Sequence, residues 1–109
     1  MAYNEQLADR MRAQLKSKRG LTEKKMFGGI GFLVNGNMAC GIIKDDLIVR
    51  LGEDDFGRAL KQKHVRVFDY SGRPMKGWVY VSAEGYSSDK ALDDWMEKGT
   101  AFAKSLPKK

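Results

Sequence analysis

The stretch KMFGGIGFLVNGN, Lys25 to Asn37, decides how this chain is read. Three glycines among apolar residues admit a phosphate-cradling loop, a deformed strand or half of a hairpin. A dinucleotide fingerprint needs Gly-x-Gly-x-x-Gly between a strand and a helix, so that pyrophosphate meets the helix N-terminus. Here Gly29-Ile30-Gly31 runs into Phe32, Leu33 and Val34 and then a turn, so the third glycine and the helix are both missing. A P-loop fails as well, because no Gly-Lys-Ser/Thr follows. What remains is a strand from Met26 to Val34 in which Gly28, Gly29 and Gly31 allow a bulge, a sharp bend or close passage of a helix. Asn35-Gly36 closes it into a hairpin, since both residues tolerate the positive φ of a type I′ turn.

Working outward, the β-rich pattern continues from Asn37 to Ile43 and, after Lys44-Asp45-Asp46, from Leu47 to Leu51, giving three antiparallel strands in a meander. Upstream, Tyr3, Leu7, Met11 and Leu15 recur every four residues, which predicts an amphipathic helix of about four turns that Gly20 can end. Downstream, Glu53, Asp54 and Asp55 precede Lys61 and Lys63 in a short segment whose charges suit a helix dipole, with Phe56, Ala59 and Leu60 as its apolar side. Val65 to Tyr70 and Gly77 to Ser82 read as two more strands around the loop SGRPMK. The last segment is a helix: Leu92, Trp95, Met96, Gly99, Phe102, Ala103 and Leu106 follow helical spacing, Ser88 with Asp89 offers the cap, and Pro107 stops it. The order α-β-β-β-α-β-β-α describes one α+β domain over residues 1–109, with a two-layer build: an antiparallel five-stranded sheet and N- and C-terminal helices.

Composition sets the outer bounds. A chain of 109 residues with 42% hydrophobic and 31% charged residues has the make-up of one globular domain with one core. No apolar run reaches the roughly 18 residues that span a bilayer, and MAYNEQLADR lacks the apolar centre of a secretory signal, so a cytoplasmic protein with no membrane partner is expected. One cysteine, Cys40, and one histidine, His64, leave no multi-cysteine metal site, and no metal or other cofactor is expected. Cys40, between Ala39 and Gly41 in a strand, reads as an inert core thiol. His64 has no carboxylate or nucleophile adjacent in sequence to form a triad, so no catalytic pair is visible and a non-enzymatic role is expected. The net charge of +6 favours acidic partners without naming one.

Side-chain alternation then sorts the sheet faces. Met38, Cys40, Ile42, Leu47, Val49 and Leu51 are apolar enough to line a helix-covered face. If Val65, Val67, Val79 and Val81 join them, the other face carries Arg50, Arg66, Phe68, Tyr70, Trp78 and Tyr80. Arginines interleaved with aromatics suit three uses: cover by the C-terminal helix or a second copy in a homodimer, recognition of a protein partner, or stacking on single-stranded nucleic acid. Arg73 and Lys76, flanking a stiffening Pro74 beside Trp78, add a candidate contact for an anionic partner, or form a solvated turn.

KKMFGGIGFLVNGNMACGIIKDDLIVRLG, a short helix, FDYSGRPMKGWVYV and a Trp-bearing helix together resemble the N-terminal domain of the TfoX/Sxy family. The likeness runs from about Leu7 to Ala103, and MFGGIGF and RPMKGWVYV carry it. It implies a two-layer fold with helices on one face of an antiparallel sheet. Two-domain members are bacterial regulators of natural competence, thought to act as coactivators beside the cyclic-AMP receptor protein. This chain resembles the N-terminal domain alone, ending at Lys109 without the second, helical domain. The resemblance supplies no catalytic residues. It implies a regulatory, transcription-related protein-interaction domain; the basic residues and the arginine–aromatic face, read from the residues themselves, give a nucleic-acid-binding accessory domain as the alternative.

Overall fold

The computed structural model describes residues 3–15, 20–26, 28–69 and 72–107. The first helix, α1, runs over Glu5–Leu15 and buries Leu7, Ala8, Met11 and Leu15, the stripe that four-residue recurrence marks. Asn4 caps it: its Oδ1 accepts from the Leu7 N–H at 3.0 Å. The Asn4 N–H donates to the Lys44 carbonyl at 2.7 Å, which ties the helix start to the sheet. These eleven residues make about three turns, one fewer than expected; residues 16–19, where a further turn would fall, lie outside the described residues.

The decisive stretch folds differently from the expectation of one strand. β1 (Leu21–Met26) and β2 (Gly29–Val34) form an antiparallel hairpin in register from Leu21↔Val34 to Met26↔Gly29. The chain reverses between Met26 and Gly29, and Gly28 has φ +73°. The sheet therefore has six strands among the described residues, not five. β1 escapes pattern reading because Thr22 to Lys25 are all exposed; an edge strand held by the hydrogen bonds of β2 needs no apolar alternation.

β3 (Asn37–Ile43) and β4 (Asp46–Arg50) complete a four-stranded meander. The Asn35-Gly36 turn has φ values of 54° and 84°, as a type I′ hairpin requires. α2 (Glu53–Ala59) leads to β5 (Val65–Val67), and β6 (Trp78–Val81) returns between β4 and β5, so the strand order is β1-β2-β3-β4-β6-β5. A 3₁₀ turn, Ala83–Tyr86, precedes α3 (Asp89–Ser105). Ser88 Oγ accepts from the Ala91 N–H and caps α3 as read from the sequence.

α3 crosses β2, β3 and β4 and packs on α1, covering one face of the sheet. Phe32, Cys40, Ile42, Leu47, Val49, Val79 and Val81 meet Leu7, Met11, Leu92 and Met96 there; each large side chain buried in this way contributes about 1.5–3 kcal/mol. Met38, expected on this face, is on the other. Phe32 pairs with Cys40 while Leu33 pairs with Met38, so Ala39 is an extra residue on β3, and this bulge turns Met38 over. The bulge is thus at Ala39 of β3 and not at the glycines, where the sequence reading placed it; Gly29 instead serves close approach, since a Cβ there would lie 1.9 Å from the Ile42 carbonyl oxygen. Met38 and Trp78 flank a second, smaller core of Ile43, Ile48, Phe68 and Tyr80 on the opposite face.

Candidate functional site

Cross-strand register brings the predicted arginines and aromatics to one face: Arg50 lies opposite Trp78, and Arg66 opposite Tyr80. Burial then divides them. Phe68 is 1% exposed and Tyr80 8%, with ring centroids 4.9 Å apart, and Trp78 lies 6.1 Å from Phe68 on the flank of the cluster. Phe68 and Tyr80 are second-core residues with no open ring face for a partner to stack on. Tyr70 lies outside the described residues. Trp78 alone of the described aromatics on this face is half-exposed.

The two arginines differ as sharply. Arg66 lies 4.4 Å from the Tyr80 ring centroid and donates to Asp46 Oδ2 at 2.7 Å, so its charge is already answered. Arg50 lies 5.1 Å from the Trp78 centroid and 5.3 Å from that of Phe102, a residue of α3. Cation–π contacts of this kind contribute roughly 0.5–2 kcal/mol and fix the guanidinium plane. Among the described residues no carboxylate or other acceptor meets the N–H groups of Arg50, although the side chain is half-buried.

Arg50, Trp78 and Phe102 wall a cleft of about 210 Å³, with Leu51 and Gly77 behind and Glu53 and Lys76 at the mouth. The loop before β6 is pinned there by the Leu51 N–H donating to the Gly77 carbonyl at 2.6 Å and the Met75 N–H donating to the Phe68 carbonyl at 2.9 Å. Lys76 Nζ reaches Glu53 Oε1 at 2.7 Å, and both side chains are well exposed. The hydrogen bond from Lys76, and then its charge, hold the Glu53 carboxyl below its ordinary range and raise the ammonium correspondingly. On the far side of Phe102 a shallower groove of about 480 Å³ runs past Asp55, Glu97 and Lys98. Arg73 and Pro74 are exposed in the loop, away from the walls of the cleft.

Of the residues singled out from the sequence, the cleft gathers Arg50, Lys76 and Trp78. It adds Phe102 and Glu53, which come from α3 and α2. Phe102 was visible only as a member of the α3 stripe; nothing in helical spacing says that this part of the stripe overhangs the end of β4. Outside the cleft, burial pushes the Cys40 thiol up to about 12, an unreactive setting. His64 Nδ1 lies 3.3 Å from Glu84 Oε2, a carboxylate that folding supplies and the sequence neighbourhood lacks. The Ser82 hydroxyl donates to the backbone carbonyl of His64, not to its ring. No group of three or more His, Cys, Asp or Glu among the described residues stands close enough to hold a metal ion. No helix among them is long and apolar enough to cross a membrane.

An antiparallel sheet with N- and C-terminal helices, whose second face ends in an arginine–aromatic cleft, places the chain in the class of small α+β domains. Residues 13–103 match the model of the TfoX N-terminal domain, and the chain belongs to that family. None of the curated proteins compared with it matches.

Proposed function

We propose that the chain is a non-enzymatic recognition domain that binds a protein partner in a regulatory, transcription-related process of the bacterial cytoplasm. The observation that carries this reading is the Arg50 corner: a half-exposed tryptophan, a second aromatic and a guanidinium without an acceptor among the described residues, together at the rim of a cleft. Trp, Tyr and Arg are the residue types on which protein interfaces concentrate their binding energy. Affinity capture with the full chain tests it. A saturable protein partner is expected, weakened about tenfold or more by Trp78→Ala and retained by Arg66→Gln, whose arginine is already paired. Failure to recover such a partner, or full retention by Trp78→Ala, overturns the reading.

Nucleic-acid binding keeps the support of the +6 charge, and Lys24 and Lys25 are exposed on β1. It loses Phe68 and Tyr80 as stacking platforms, because both are buried. A mobility shift at low salt that fades steeply as salt rises would favour it over protein recognition. Self-association through the same cleft would instead appear as a dimer in sedimentation velocity, removed by Trp78→Ala.

A further inference from the structure

We infer that the Arg50 cleft receives a carboxylate carried by an extended segment of a partner protein, with an apolar side chain of the same segment lying across Phe102. This rests on the recognition reading above and names the chemistry of its partner. Among the described residues, Arg10, Arg12, Arg58 and Arg66 each reach an Asp or Glu within 3.2 Å. Arg50 reaches none, yet it is half-buried and steadied by two rings. A partly desolvated guanidinium has lost water that no acceptor among the described residues replaces, and a carboxylate offers it two parallel acceptors in matching geometry. Lys76 stands at the same mouth, and its exposed pair with Glu53 is the weak kind that an incoming anion can share.

Two features select a protein segment over a polyphosphate chain. The cleft and the adjoining groove carry Glu53, Asp55 and Glu97 beside their cations, so a continuous anionic backbone meets repulsion that a single carboxylate placed at Arg50 avoids. Phe102 is the wall shared by the cleft of about 210 Å³ and the groove of about 480 Å³. A ligand anchored at Arg50 and continuing past this ring buries an apolar neighbour against it, which a nucleic-acid backbone does not supply.

The test is an array of short peptides with a central Asp, Glu, Asn, Gln or Lys and randomised flanks, probed with the full chain. Selected peptides should carry a central carboxylate with an apolar residue within two positions, and the matched amide peptides should bind about tenfold or more weaker. That comparison uses one protein and is independent of any variant's folding. Arg50→Gln should abolish the preference for acid over amide, while Arg66→Gln should leave it intact. Inorganic phosphate at millimolar concentration should compete weakly, and a single-stranded oligonucleotide should not compete. The inference is overturned by equal binding of acid and amide peptides, by the absence of any selected peptide, or by an oligonucleotide that displaces them. If Trp78→Ala loses the captured partner and Arg50→Gln keeps it, recognition stands and the carboxylate inference alone fails.

Discussion

Gly99 sits where α3 crosses β3, and a Cβ there would lie 2.5 Å from the Ala39 carbonyl oxygen, a backbone atom that cannot swing aside. Gly57, in α2, has nothing within 4 Å of the same point. The two glycines therefore separate intrinsic helix preference from packing. Alanine gains about 1 kcal/mol over glycine within a helix, while forcing a methyl into a packed contact costs about 1–3 kcal/mol. Gly57→Ala should stabilise by about 0.5–1 kcal/mol; Gly99→Ala should lose up to about 2 kcal/mol net, as much as several degrees in Tm. Thermal melts of the two variants check both signs, and a stabilised Gly99→Ala would mean that α3 does not touch β3 there. The Lys76 and Glu53 pair makes a pH prediction at the same scale. Glu53, with its carboxyl lowered by Lys76, adds stability that is fully present above the ordinary carboxylate pKa and is lost as pH falls through the lowered one. Lys76, with its ammonium raised, adds stability present below the ordinary lysine pKa and lost as pH rises through the raised one. The stability gap between the wild type and Lys76→Gln should thus be flat around neutrality and close at both extremes. It should be small and shrink with salt, since both groups are exposed. In an NMR titration the Glu53 carboxyl should move upward in Lys76→Gln; an unmoved value would remove the pair.

The caps and turns belong to the elements, and α3 offers the cleanest test. Its Ser88 hydroxyl accepts from the Ala91 N–H at 3.1 Å, so Ser88→Ala should cost about 1 kcal/mol while Ser88→Asp retains most of it. Urea unfolding should show a lower midpoint with an unchanged slope; a changed slope would mean that the cap also shapes the unfolded state. That cap was legible, as were the α3 stripe, the Asn35-Gly36 turn and the two helix ends of the domain, because each depends on residues within a few positions of one another. β1 was not legible: Thr22, Glu23, Lys24 and Lys25 become a strand through pairing with β2, and Arg12 of α1 anchors Glu23. Nor was the bulge at Ala39, which depends on how β3 fits against β2 and hands Met38 to the second face. The candidate site divides in the same way. Alternation along single strands put Arg50 and Trp78 on one face, but burial of Phe68 and Tyr80 follows from packing between strands, and Phe102 and Glu53 arrive from helices distant in sequence.

At the scale of the molecule, one sheet serves two cores. In β4, Leu47 and Val49 enter the helix-side core while Ile48 enters the other; in β6, Val79 and Val81 are opposed by Trp78 and Tyr80. Neither core can dissolve without withdrawing β4 and β6 from its neighbour, so the two should unfold as a unit. Long-range ties favour the same outcome. Arg10 of α1 donates to the carbonyls of Tyr86 and Ser87 and to Asp89, and Asn37 donates to the Pro107 carbonyl. The two tryptophans report from opposite sides of the sheet: Trp95 is buried on the helix side, with its Nε1 donating to the Gly85 carbonyl, and Trp78 flanks the second core. In Trp95→Phe the fluorescence of Trp78 should follow urea with the same midpoint and slope as circular dichroism of that variant, and in Trp78→Phe the fluorescence of Trp95 should do so too. Each variant serves as its own reference, so a change in overall stability does not confuse the comparison. If Trp78 fluorescence changes at lower urea than the circular dichroism, the second core and its cleft open independently of the fold, and the rigidity ascribed to Arg50 between its two rings is lost with them.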